Sequence, residues 1–314
     1  MKKKLVAGAV TLLSVVTLAA CANGTNKDIV TMKGDTITVS DFYNEIKTNQ
    51  GAQQVLFQMT INKVFEKEYG SKVSDKEVDK ELAKQKKQLG NQFDAYLAQQ
   101  GLTEETAKKQ IRSNMLLEYA VNQAAKKDIK ESDYKAAFES YTPEVTAQII
   151  KLDSEDKAKE VLEAAKAEGA DFAQIAKDNS TDTATKDKGG EVKFDSGTAD
   201  IPSQVKEAAF KLDENGISDV ITVSAGQNYS ASYYIVKLNK KTEKGSDWKK
   251  YEKRLKEIII EGRKQDTNYI RSIIAKAMTN ANIKVKDDAF KSTFNQYLQN
   301  IGVQTSDSSS SSKK

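Results

Sequence analysis

Ala170-Asp-Phe-Ala-Gln-Ile-Ala-Lys-Asp-Asn-Ser-Thr-Asp182, followed by Lys188-Gly-Gly-Glu-Val192, decides how the middle of this chain is read. Asp171 to Lys177 reads as a short helix, and Asn179 to Gly190 as a polar loop that carries glycines. Val192 and Phe194 sit in an extended segment. Upstream, Val145 to Leu152 alternates like a strand, and Ser154 to Glu168 has helical texture. Downstream, Pro202 opens a helix through Phe210, since a proline in the first helical turn lacks only an N–H that would have no intrahelical partner. Val220–Val223 and Tyr233–Leu238 read as two more strands around a turn containing Gly226. Residues 143–240 are therefore expected as one βααβαββ unit.

On both sides of this unit the texture is helical. Asp28 to Val39 first reads as two short extended pieces joined at Gly34-Asp35. Phe42, Tyr43 and Ile46 then recur at helical spacing from Ser40, and Val55, Leu56, Met59, Val64 and Phe65 mark a second helix. Ser74-Asp-Lys-Glu77 is a capping box, in which hydroxyl and carboxylate each satisfy an orphan N–H, and it opens a helix towards Gly90. Gln92–Gln99 is a short helix stopped by Gly101. Thr103 opens a long one with a stripe of Ala107, Ile111, Leu116, Leu117, Ala120 and Val121, before Tyr141-Thr-Pro143 breaks the pattern. Beyond Lys240, Trp248, Leu255, Ile258, Ile259, Ile270, Ile273 and Ile274 keep helical spacing, with an interruption near Gly262. Asn282–Lys286 is short and extended, and Ala289–Leu298 is a last amphipathic helix.

The expected class is α+β. A mainly helical segment 21–142 and the C-terminal helices of 241–305 form one body, because the flanks of an inserted domain pack together, and 143–240 is the insert. Ser306–Lys314 is serine-rich and expected to be disordered.

The N-terminus sets the compartment. Lys2, Lys3 and Lys4 precede a mostly apolar run from Leu5 to Leu18, too short for a spanning helix of ~20 residues. Leu18-Ala-Ala-Cys21 then has the form that lipoprotein signal peptidases cut, so 1–20 reads as a signal peptide and Cys21 as the lipidated residue, bearing S-diacylglycerol and an N-acyl group. A thiol at the new terminus is the nucleophile that thioether lipidation needs, and two acyl chains suffice for stable anchoring. The chain is placed on the extracytoplasmic face of the cell membrane.

Composition excludes more than it assigns. The formal charge of +4 belongs largely to the signal segment: without its three lysines, 46 basic residues face 45 acidic ones, and nothing points to nucleic acid. The chain has no histidine and one cysteine. Ser-His-Asp and Cys-His catalysis, HExxH zinc sites and histidine pH switches are thereby excluded. No metal or cofactor is implied.

In order and spacing, the central segments resemble the parvulin-type (PpiC-type rotamase) peptidyl-prolyl isomerase domain. Residues 170–182 match its "DFAxLAxxxSxD" run, and Lys188–Val192 its "GGDL" turn. Ile201-Pro-Ser-Gln-Val-Lys-Glu-Ala-Ala-Phe-Lys-Leu212 with Gly216-Ile-Ser-Asp219 matches "VPxFxxAAFxLxxGxxS", and Tyr234-Ile-Val-Lys237 its closing strand. With the lipobox and helical flanks, the whole chain resembles PrsA-type foldase lipoproteins of Gram-positive bacteria.

The resemblance implies catalysed rotation about Xaa-Pro bonds, whose uncatalysed barrier is ~18–20 kcal/mol. An apolar cup would hold the proline ring, with Val192, Ile201 and Val205 at its positions, and Asp182 falls where many members have Cys or Asp. The family strands "AxHIL" and "YHIIKL" carry histidines, for which Gln148 and Tyr234 are read as the replacements. Two readings stay open. Gln148 and Tyr234 restore a hydrogen-bonding pair around Asp182, since amide and phenol both donate and accept, or they are packing residues of a domain without catalysis. The implied function is a membrane-anchored foldase for newly exported, unfolded proteins, often homodimeric through its helical part. A purely non-catalytic chaperone is the alternative. A solute-binding lipoprotein would show two α/β lobes, which this strand-poor chain lacks, and no repeats support an adhesin.

Overall fold

The computed structural model describes residues 27–224 and 231–298. The signal segment 1–20, Cys21, the turn at Gly226 and the tail 306–314 lie outside them. Capping chemistry places most of the helix starts. β1 (Asp28–Met32) and β2 (Asp35–Thr38) pair antiparallel across Gly34, whose φ of +87° suits a residue without a Cβ. Thr38 and Asp41 then cap α1 (Val39–Ile46) reciprocally, each side chain accepting the other's backbone N–H. α2 (Gln50–Tyr69) follows an Asn49 cap, and the Ser74–Glu77 box opens α3 (Asp75–Leu89). α4 (Phe93–Gln99) and α5 (Glu104–Asp128) follow. The long helix does not reach Tyr141. It ends at Asp128, and a separate α6 (Glu131–Ser140) starts where the Asp133 carboxylate accepts from the Lys130 N–H.

β3 (Val145–Leu152), α7 (Glu155–Lys166), α8 (Phe172–Asn179), β4 (Glu191–Phe194), α9 (Ser203–Lys211), β5 (Ile221–Val223) and β6 (Ser232–Lys240) come next, in βααβαββ order. The sheet runs β4-β3-β6-β5 and is antiparallel at every pairing. Both faces are covered. Ile150, Leu152 and Ile235 pack against Val161, Phe172 and Ala176 of α7 and α8. On the other face Val145, Ala147, Ile149, Val236 and Leu238 pack against Val205 and Ala209 of α9. Each such aliphatic side chain contributes ~1.5–3 kcal/mol when fully buried, so β3 and β6 are held from both sides.

α10 (Glu252–Gln265), α11 (Thr267–Asn280) and α12 (Lys291–Leu298) complete the chain. The interruption expected near Gly262 falls instead at Asp266, whose carboxylate accepts from the Asn268 and Tyr269 N–H groups and caps α11; Gly262 lies inside α10. Asn282–Lys286 joins no ladder.

Residues up to Leu116 with those from Ile274 form one compact unit, and Leu117–Ile273 form the other. The helices of 241–305 are thus divided between the two. In the second unit α10 and the turn before it pack on α6, with Trp248 stacked on Tyr134 and Tyr251 on Phe138, while Arg263 bonds the Ala125 carbonyl and Asp133. In the first, Tyr297 and Phe294 of α12 pack on Phe57 of α2. The architecture is α+β. No helix among the described residues is long and apolar enough to cross a membrane.

Candidate functional site

The Gly–Gly turn exists because two backbones must touch. Gly189 and Gly190 have φ of +67° and +78°, and a Cβ on Gly190 would overlap the Ile149 carbonyl oxygen. Close approach lets the Gly190 carbonyl accept from the Ile149 N–H at 2.8 Å. Gln148 Nε2 donates to the Gly189 carbonyl at 2.9 Å. Further along β3, the Thr181 N–H donates to the Lys151 carbonyl at 2.8 Å, and the buried Ser180 hydroxyl accepts from the Lys151 and Asp182 N–H groups. The polar loop is therefore stitched to β3 and carries Asp182 with it.

Strand register then sorts the expected site residues. Cross-strand partners share a face, and in β3 Ile149 pairs with Val236, Lys151 with Tyr234 and Gln148 with Lys237. Tyr234, Ile149, Ile201 and Val205 gather in one cluster, with Val192 packed against it. Gln148 points to the opposite face and is occupied by Gly189, so the structure does not bring Gln148 and Tyr234 together. The reason is the two-residue period of a strand. Counted from Ala147, the histidine of "AxHIL" falls on Ile149, which is on the Tyr234 face.

Tyr234 is 9 % exposed, and among the described residues its hydroxyl makes no hydrogen bond. Burial raises its pKa, and the charges of Asp182 and Asp153 push the same way, so the phenol stays protonated. Asp182 itself accepts from the Thr185 hydroxyl and the Ala184 N–H. Val205 is fully buried and Ile149 nearly so, at 3 %; the apolar surface left partly open is that of Val192, Phe210, Leu212, Ile221 and Val223. Of the cup positions, Ile201 and Val205 are buried and Val192 is half-buried.

A second polar cluster escaped the sequence reading. Asp195, at the end of β4, accepts from Arg254 Nε at 2.6 Å and Nη2 at 2.8 Å, from the Tyr141 hydroxyl, from the Thr198 hydroxyl and from the Gly197 N–H. Burial pushes the Asp195 pKa up, but these donors outweigh it and the net direction is down. The cluster ties β4 to α10 and to the strand entry at Tyr141. An acidic residue directly after the inward-facing Phe194 was its only local sign.

The other unit differs in its surface. The exposed large hydrophobic side chains among the described residues all fall between Ile29 and Tyr96, and include Phe42, Val55 and Met59. Two grooves of about 500 Å³ flank α2, one lined by Lys63, Glu66, Arg112 and Leu116, the other by Thr60, Val64, Ala277 and Ile283.

Residues 141–240 match the PPIC-type PPIASE domain family, a rotamase family. The chain is 62 % identical to the foldase protein PrsA of Streptococcus sanguinis over 302 residues, 96 % of this chain and 90 % of that one. It is 60 % identical to the PrsA of Streptococcus gordonii over the full length of both. The chain belongs to the PrsA foldase family. Among solved structures, the PrsA of Streptococcus pneumoniae superposes with a TM-score of 0.77 at 55 % identity, covering 86 % of this chain and 99 % of that one. The PrsA of Lactococcus lactis gives 0.65 at 39 % identity, with 87 % and 99 % covered. In this chain the sheet face of the rotamase domain carries Ile149 and Tyr234 at the two histidine positions of the motifs.

Proposed function

We propose that this chain holds unfolded exported proteins on the outer face of the cell membrane, tethered by lipid on Cys21, and that its rotamase domain is a peptide-binding surface with little isomerase turnover. The observation that carries the foldase part is the exposure of Tyr43, Val55, Met59 and Tyr96 on the helices of the first unit, together with two grooves of about 500 Å³ that flank α2. A groove of that size takes a few side chains of an extended segment, not a folded domain. Such a surface binds and releases without nucleotide, as an extracytoplasmic helper must. The tether rests on the basic start, the apolar run and Leu18-Ala-Ala-Cys21.

Low turnover follows from what faces the cup. Amide rotation is helped by fixed polar groups aimed at the twisted bond. Ile149 offers none, Gln148 is engaged on the other face, and Tyr234 is a buried neutral phenol. Light scattering of a heat-denatured client tests the foldase reading. The mature chain should suppress aggregation near equimolar ratio, and Val55→Ser/Met59→Ser should weaken it; no protection by the parent chain overturns the proposal.

A further inference from the structure

The N-terminal hairpin is patterned inside out. In its register Val30 faces Ile37 and Met32 faces Asp35, so Val30, Met32 and Ile37 share one face and Thr31 and Thr36 the other. The apolar face is open: Met32 is 50 %, Val30 47 % and Ile37 40 % exposed, while on the other face Thr36 and Thr38 are half-buried and Thr31 is exposed. A two-stranded ribbon on a water-facing surface should show the reverse alternation. Ile29 and Phe42, in the same stretch, are exposed as well.

What covers this face is decided by chain length. Only six peptide steps separate Cys21 from Lys27, so the hairpin starts within roughly 20 Å of the anchoring sulfur even if the spacer is fully extended. A second copy is the poorer occupant. Three half-exposed side chains from each of two copies offer on the order of 400–600 Å² together, short of the ~1,200 Å² in total that a stable pair buries. We infer that the hairpin lies against the lipid bilayer and inserts Val30, Met32 and Ile37 into its interfacial layer. The contact rests on the proposed tether at Cys21 and sets how the chain stands on the membrane. Lys27 and Lys33 are balanced by Asp28 and Asp35, so apolar insertion rather than charge carries the contact, and Asp35 at the turn end of that face keeps it at headgroup depth.

The test uses the single thiol. The mature chain is coupled through Cys21 to a maleimide lipid in phosphatidylglycerol–phosphatidylcholine vesicles, and amide hydrogen exchange is followed over residues 28–38. Exchange there should slow about fivefold on coupling, with little change between low and high salt, and Val30→Ser/Met32→Ser/Ile37→Ser should abolish the slowing while α3 exchange is unaltered. Equal exchange with and without vesicles overturns the inference. So does slowing that tracks protein concentration, which would assign the face to a second copy, or slowing that appears only with an unfolded client. Chemical coupling does not depend on cellular lipidation. Mass spectrometry of Cys21 in membrane-extracted protein therefore tests the tether separately.

Discussion

Asp195 and Tyr234 are polar side chains of the rotamase domain with opposite surroundings, and the Tyr234 hydroxyl is not among its buried orphan atoms. The Asp195 carboxylate accepts five hydrogen bonds, from Arg254, Tyr141, Thr198 and Gly197, whereas the Tyr234 hydroxyl makes none among the described residues. Buried polar groups are normally satisfied, and a well-satisfied cluster rigidifies what it joins. The domain's densest polar network lies where β4 meets α10, whereas the cup face carries the Tyr234 phenol among apolar side chains.

That contrast can be broken by mutation. The largest effect belongs to Asp195→Ala, which strands the Tyr141 hydroxyl and a partly exposed Arg254; it should cost about 2–3 kcal/mol in urea unfolding. A loss below about 1 kcal/mol would show that the cluster is not structural. Next come the two phenols as a matched pair. Tyr141→Phe removes a hydrogen bond to a buried carboxylate and should cost about 1 kcal/mol, while Tyr234→Phe should change stability by less than about 0.5 kcal/mol. Equal costs would mean that Tyr234 has a partner after all.

The pH dependence separates the same groups more gently. Burial, with the Asp195 charge behind it, raises the Tyr141 pKa, and burial with the Asp128 charge pushes Tyr269 up to about 12. A phenol whose folded pKa lies above its unfolded value near 10 binds more protons folded than unfolded. Its contribution is complete below pH ~10 and is lost as pH rises through the folded value. Asp195 runs the other way: its contribution is present above about pH 4 and lost as pH falls through its lowered pKa. Thermal melts of the mature chain should therefore decline above pH ~10, and Tyr141→Phe should flatten that decline.

Much of this fold could be read in the chain, because its signals are local. The Ser74–Glu77 box, Pro202 at a helix start and the alternation of Val145–Leu152 each act within a few residues. The break at Lys130 is not expected from the sequence, and the one expected near Gly262 falls at Asp266, because a single carboxylate cap outweighs a continuing apolar stripe. At the site, Val192, Ile201, Val205 and Tyr234 do share one face, but Gln148 does not. A shift of one residue in a strand reverses the face, so motif matching without counting the alternation chose the wrong neighbour of Ile149. The Asp195–Arg254 pair joins residues 59 apart, and no local pattern announces it.

The proposed cup lacks polar groups able to drive isomerisation. The direct measurement is the rate of a proline-limited refolding reaction with the mature chain, run beside Ile149→His/Tyr234→His, which restores a histidine at both motif positions. The parent chain should stay within about twofold of the uncatalysed rate, while the double variant should accelerate it by about tenfold or more. Acceleration of about tenfold by the parent chain, abolished by Tyr234→Phe, would contradict it.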